Sequence, residues 1–342
     1  MNAAKPKLQL RGRVDLGDYP ADAVWSSDGR ALVVGGGQGA LLWVDSDALP
    51  SQVQRFGDHP GGVLALAWQG GGHQFASSGQ DGEVRLWDAK TRVGRLIHAG
   101  AQWSERLAFA SHGRLLAVGT GRNLHIFDFS GALREPVAPH AGVIAALAWR
   151  LKSSELAALG NGGAWIHRVE PTLQTREYPW PGACLTASWS PDGRVLASGL
   201  QDGSVHYWNM GSGTQSQMRG YGTKVALTSW SANSRFLATS ADQQVVVWDF
   251  SGRGPEGSEP LRLDAHTARL TQLAFQPQGP LLAAGARDRK VTLWRLGLPQ
   301  QPIDADLLAD EVVLLRWSAD GAQLAVADRS GLLSLYAVTA LR

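Results

Sequence analysis

Two stretches of the chain set a histidine, an aspartate and a tryptophan in the same order: His59, Asp81 and Trp87, then His266, Asp288 and Trp294. A histidine backed by a carboxylate is the pair a general base needs, and Ser77 would add a hydroxyl to the first copy. One active site needs one such pair, yet here the set recurs in fragments. His140 stands without the aspartate, while Asp202 with Trp208 and Asp242 with Trp248 stand without the histidine. Repetition argues that these groups satisfy one another's hydrogen bonds inside a folded unit, as buried polar groups must. No catalytic residue is assigned.

The other chemical signatures fail on context. Gly35-Gly36-Gly37-Gln38-Gly39-Ala40 fits the spacing of a dinucleotide-binding turn and follows the strand-like Ala31 to Val34. Such a site needs a helix N-terminus after its glycines, whereas Ala40 to Val44 reads as a strand, so a hairpin turn is expected. The nine histidines include no HExxH pair. His59, His98 and His140 are the candidates for a metal on one rim, but no metal or other cofactor is expected. Cys184 is the single cysteine, which excludes an intramolecular disulfide and a cysteine-built zinc site; it reads as a small buried thiol.

Composition is that of a globular chain, 44% hydrophobic and 18% charged over 342 residues. The net charge is +2, and the 26 arginines and 6 lysines are scattered, so neither nucleic acid nor a membrane is an expected partner. The N-terminal residues carry no apolar h-region, and no window approaches a bilayer span, which makes the cytoplasm the expected compartment.

The elements that position these residues come from a repeat. In Phe75 to Asp88, FASSGQDGEVRLWD, two short apolar runs flank an Asp-Gly turn, the pattern of a β-hairpin. One aromatic column runs through Trp25, Trp68, Phe109, Trp149, Trp189, Trp230, Phe275 and Trp317, at spacings of 43, 41, 40, 40, 41, 45 and 42 residues. A second column follows it by 17 to 19 residues: Trp43, Trp87, Phe127, Ile166, Trp208, Trp248, Trp294 and Tyr336. Each of the eight repeats reads as three strands and a more polar fourth. A sheet of about 40 residues cannot bury both faces alone, so the repeats must stack. The final repeat ends after its third strand, and residues 7–16, KLQLRGRVDL, are expected to supply the fourth and close a ring. Ser251 to Pro260 reads as a loop.

Val84-Arg85-Leu86-Trp87-Asp88 and Val245-Val246-Val247-Trp248-Asp249 resemble the signature of the WD-repeat β-propeller family. Tyr207-Trp208-Asn209, Leu293-Trp294-Arg295 and Ile126-Phe127-Asp128 are worn copies, and in the fourth repeat Asn161-Gly162-Gly163 replaces the Asp-Gly turn. The resemblance covers Val14 to Tyr336 and implies an all-β, eight-bladed propeller of four-stranded antiparallel blades, a single domain over residues 1–342. It also implies that His59, Asp81 and Trp87, and their copies, form a structural network. The function it implies is a non-enzymatic scaffold, monomeric by itself, that binds a protein or peptide. Eight-bladed rings also resemble quinone-dependent dehydrogenases, so a propeller enzyme or a metal- or ligand-binding propeller is the alternative. Residues ahead of the first strands cluster on one face of such a ring. Tyr19, Asp22, Trp103, Glu105, Trp180, Tyr221, Lys224, Arg269, Asp310 and Glu311 are the partner-binding candidates there.

Overall fold

The computed structural model describes residues 7–47, 53–134, 137–252, 254–297 and 301–338. Thirty β-strands and no helix make up these residues, arranged as eight separate antiparallel sheets. Blade two shows the unit: Val63–Trp68, Gln74–Gly79, Glu83–Asp88 and Gly94–Ala99 pair in sequence order. Gly82, at φ 76°, takes the left-handed position in the turn that the Asp-Gly dipeptide marks. The second strands are the most deeply packed elements. Every residue of Ala31–Gly36, Leu115–Thr120 and Leu281–Ala286 is buried, because neighbouring blades cover both faces. That explains continuous apolar runs in place of alternation.

The ring closes as the sequence predicts. Leu8–Asp15 pairs antiparallel with Leu332–Val338, from Leu8 opposite Val338 to Asp15 opposite Leu332, and completes blade eight. Trp25, Leu32 and Val44 of blade one share one apolar cluster with Leu314, Ala325 and Leu333 of blade eight, so the seam is packed as well as hydrogen-bonded.

Among the described residues no ladder joins one sheet to the next, and side chains bridge the gap. The indole Nε1 of Trp25, Trp149, Trp189, Trp230 and Trp317 each donates to a carbonyl of the preceding blade: Arg316, Ala108, Ala148, Ser188 and Ala274. In each case the acceptor is the residue just before that blade's own first-column aromatic. A first-column tryptophan is therefore an inter-blade fastener as well as apolar bulk. Trp68 departs from the rule and donates to Gly72 of its own blade.

Pairing register corrects the second column at two places. Leu32 lies opposite Val44, as Phe75 lies opposite Trp87, so Val44 holds the blade-one position and Trp43 faces the other way, against Trp68 of blade two. In blade four, Val169 N–H bonds Ser154 C=O as Ala89 N–H bonds His73 C=O in blade two, which puts His167 and not Ile166 at the tryptophan position. Neither Val44 nor His167 is the tryptophan that marks this position in other blades, and a one-residue slip reverses the face.

Blades three and four are irregular. Blade three has three strands, and its fourth survives among the described residues as the bridge between Phe127 and Leu133. In blade four one run, Glu155–Arg168, supplies both middle strands by doubling back at Gly162 and Gly163, at φ 98° and 123°. Within the run Gly35 to Ala40, Gly37 to Gly39 form the expected hairpin turn between the strands Ala31–Gly36 and Ala40–Asp45, and Gly39 N–H closes onto Gly36 C=O. Ser251 to Pro260 lies between the third and fourth strands of blade six; Arg253 is outside the described residues.

Candidate interaction face and blade networks

In blade two, His59 Nδ1 meets the Asp81 carboxylate at 3.0 and 3.1 Å, and Nε2 lies 2.7 Å from Ser77 Oγ. This has the connectivity of a hydrolase triad, but not the access. His59 and Ser77 are both fully buried, and Ser77 Oγ also accepts from Trp87 Nε1 at 2.8 Å. A hydroxyl committed to two buried partners holds a strand pair together and meets no substrate.

Blade seven rebuilds the set with one exchange. His266 Nδ1 meets Asp288 at 3.1 and 3.2 Å, while Nε2 and Trp294 Nε1 converge on Thr292 Oγ1 at 3.0 and 2.9 Å. Thr292 is on the third strand, opposite Ala284, whereas Ser77 is on the second, opposite Arg85. The hydroxyl has changed strands across one cross-strand pair and fills the same space. Burial pulls the His266 imidazole below its usual range, against the opposing pull of Asp288.

The histidine position lies nine residues before the first-column aromatic, and Trp180 and Tyr221 occupy it in blades five and six. Tyr221 is therefore a network residue: its hydroxyl accepts from Trp248 Nε1 at 2.6 Å and contacts Thr239 Oγ1 at 2.7 Å. Trp180 is half-buried and stacks on His206 with ring centroids 3.7 Å apart, and His206 meets Trp208 edge-on. Both differ from the expected exposed face residues, because the loop register turns them into the blade. Asp202 and Asp242 serve their turns. Asp202 accepts from Ser204 Oγ, and Asp242 holds φ 53° while its carbonyl accepts from Leu270 N–H.

Blade four pairs two histidines instead. His140 Nε2 and His167 Nε2 are 2.9 Å apart; His140 Nδ1 faces the Arg122 carbonyl and His167 Nδ1 faces Thr175 Oγ1. Only one neutral arrangement satisfies all three contacts. His140 donates to the carbonyl and accepts from His167, which accepts from Thr175. Burial, with His140 beside it, pushes His167 down to about 3, and burial also lowers His140. Among the described residues no group of three or more His, Cys, Asp or Glu side chains is placed to hold a metal.

The exposed face residues belong to a different column, six positions before the first-column aromatic: Tyr19, Trp103, Val143, Lys224 and Arg269 are exposed there, Ala183 and Glu311 half-buried, and Gly62 buried. Tyr19 is 46% and Trp103 51% exposed. Tyr19, Arg269 and Glu311 line one cavity of about 550 Å³ at the channel end of blades six, seven, eight and one, with Leu227, Gln272, Arg287 and Arg329. Trp103, Glu105 and Lys224 are exposed but do not line it. Arg287 and Arg329 were not legible as face residues; their signal is the turn between second and third strands, which opens on this face.

Two acidic candidates are spent on structure. Asp22 accepts from Leu66 N–H of blade two and from Arg316 of blade eight at 2.8 Å, tying three blades together. Asp310 accepts from the next N–H in its turn, that of Glu311. Glu105 lies 3.8 Å from the neighbouring Arg106.

Eight radially stacked antiparallel sheets, closed by the pairing of Leu8–Asp15 with Leu332–Val338 and pinned by repeated indole bonds, define a β-propeller. Four stretches of the chain match WD repeats. The family model for the WD domain, G-beta repeat, matches residues 50–88, 176–209, 214–249 and 257–295. The B-type cell cycle switch protein ccs52B of Medicago truncatula is 27% identical over 290 residues, covering 80% of this chain and 57% of that protein. Cell division cycle 20.4, cofactor of APC complex, of Arabidopsis thaliana is 25% identical over 291 residues, covering 80% and 64%. The chain thus spans under two thirds of the length of these relatives. The crystal structure of the computationally designed Ika8 protein superposes with a TM-score of 0.79 at 19% identity, over 96% of this chain and 99% of that one, and shows the fold alone.

Proposed function

We propose that this chain is a non-enzymatic interaction scaffold that holds a protein or peptide partner at the channel mouth. The observation that carries the reading is the gathering of Tyr19, Arg269 and Glu311, far apart in sequence, around one open cavity. The histidine-aspartate pairs are sealed inside blades, which removes the main argument for an enzyme from these residues. Relatives named as a cofactor of a complex and as cell cycle switch proteins support a role exercised through a partner. A rigid ring with aromatic and arginine side chains on one rim suits that role, since such residues dominate binding energy. Affinity capture with the wild-type chain and with Tyr19→Ala, Trp103→Ala and Arg269→Ala tests it. A specific partner retained by the wild type and weakened by these substitutions is expected. No specific partner, or one held equally by all four chains, overturns the reading.

A further inference from the structure

We propose that the channel mouth recognises a carboxylate-rich peptide segment, whose acidic side chains enter among Arg269, Arg287 and Arg329. The inference rests on the reading of this face as the partner-binding one, and adds the partner's chemistry. Three guanidinium groups line the cavity with one carboxylate, that of Glu311. Glu311 is shared loosely, at 3.8 Å from Arg287 and 3.6 Å from Arg329, and both arginines are more than half exposed. Arg269 is exposed and makes no ion pair among the described residues.

The neutral polar groups of the wall are already committed. Thr271 Oγ1 donates to main-chain carbonyls, Gln272 Nε2 donates to the Val313 carbonyl, and Gln272 Oε1 accepts from Arg316. The nearby carboxylates are committed too: Asp18 to Tyr19 and Gln38 N–H groups, Asp22 to Arg316, and Asp310 to Glu311 N–H. What the cavity offers a ligand is therefore mostly unspent N–H donors in planar forks, which match carboxylates two bonds at a time. Leu227, Leu270 and Val313 supply apolar wall for the methylenes that carry a glutamate head group. The cavity's size and openness suit a chain segment over a single ion. A net charge of +2 for the whole chain argues against a nucleic-acid track.

The test is fluorescence anisotropy with a labelled dodecapeptide containing six consecutive glutamates, its glutamine counterpart, and an oligodeoxythymidine of equal length. The proteins are the wild-type chain, Arg269→Glu/Arg329→Glu, and Arg194→Glu, a 79% exposed residue of a bottom turn in blade five. At low salt the glutamate peptide is expected to bind at least tenfold more tightly than the glutamine peptide. The double substitution is expected to weaken it at least tenfold, Arg194→Glu to leave it unchanged, and added salt to weaken it. Arg269→Gln/Arg329→Gln replaces the double reversal if that chain does not fold. Equal binding of the two peptides, indifference to the double substitution, or tighter binding of the oligonucleotide overturns the proposal. A native partner lost on Tyr19→Ala and Trp103→Ala but indifferent to arginine reversal removes this inference and leaves the face; a partner held by every variant removes the face.

Discussion

Trp25 and Arg316, 291 positions apart in the chain, are joined by a 2.9 Å hydrogen bond from the indole Nε1 to the main-chain carbonyl. The same bond links blades four, five, six and eight to the blade before each, so the contact that closes the ring is the one that builds it. Trp25→Phe keeps the ring and strands the carbonyl. A loss of about 1 kcal/mol in urea unfolding is expected. Trp68→Phe, whose donor serves Gly72 of its own blade, is the comparison: it breaks no indole hydrogen bond across the seam between blades one and two.

Tyr221→Phe removes one oxygen and leaves both Trp248 Nε1 and Thr239 Oγ1 without that partner. A loss of about 1–3 kcal/mol follows for the stranded Trp248 donor, while Thr239 keeps its bond to the Val246 carbonyl, measured by thermal or urea unfolding. Partner capture is expected to survive, because the hydroxyl faces into the blade. Loss of capture with unchanged stability would return Tyr221 to the binding face.

Deleting residues 1–16 removes the outer strand of blade eight and exposes the edge of Leu332–Val338. It also removes Arg13, which contacts Ser334 Oγ and Asp306. A lower melting temperature and concentration-dependent light scattering are expected, since an uncovered edge invites pairing. An unchanged melting curve would contradict closure as a source of stability.

Blade four gives the chain an acid-sensitive element. Both His140 and His167 titrate below the free imidazole, so the unfolded chain binds more protons than the folded one between about pH 6.5 and the folded values, about 3 for His167. Stability contributed by the neutral pair is present above pH 6.5 and falls as the pH drops through that window. The slope approaches about 1.4 kcal/mol per pH unit for each such histidine. His167→Gln is expected to flatten the dependence measured by urea unfolding between pH 7.5 and 4.5; the same slope in that variant would refute the assignment.

The repeat was legible because it is written in large, regularly spaced aromatics. Blade number, closure and the His59 network followed from counting. Register was less legible: Trp43 and Ile166 stand beside Val44 and His167, and only strand pairing decides which neighbour faces the blade. Tyr221 and Trp180 read as surface residues because they precede a first strand. Their nine-residue spacing, identical to that of His59 and His266, held the contrary signal. Side chains that gather from separate blades, such as Arg287 and Arg329 beside Arg269, have no spacing to betray them.

The binding face itself is tested most directly by a photo-crosslinking amino acid placed at position 103, on the exposed rim, or at position 256, in the groove beneath blades five and six. With the co-purified partner present, a crosslinked product is predicted from position 103 and none from position 256. A product from position 256 alone would place the partner on the opposite side of the ring and contradict the account.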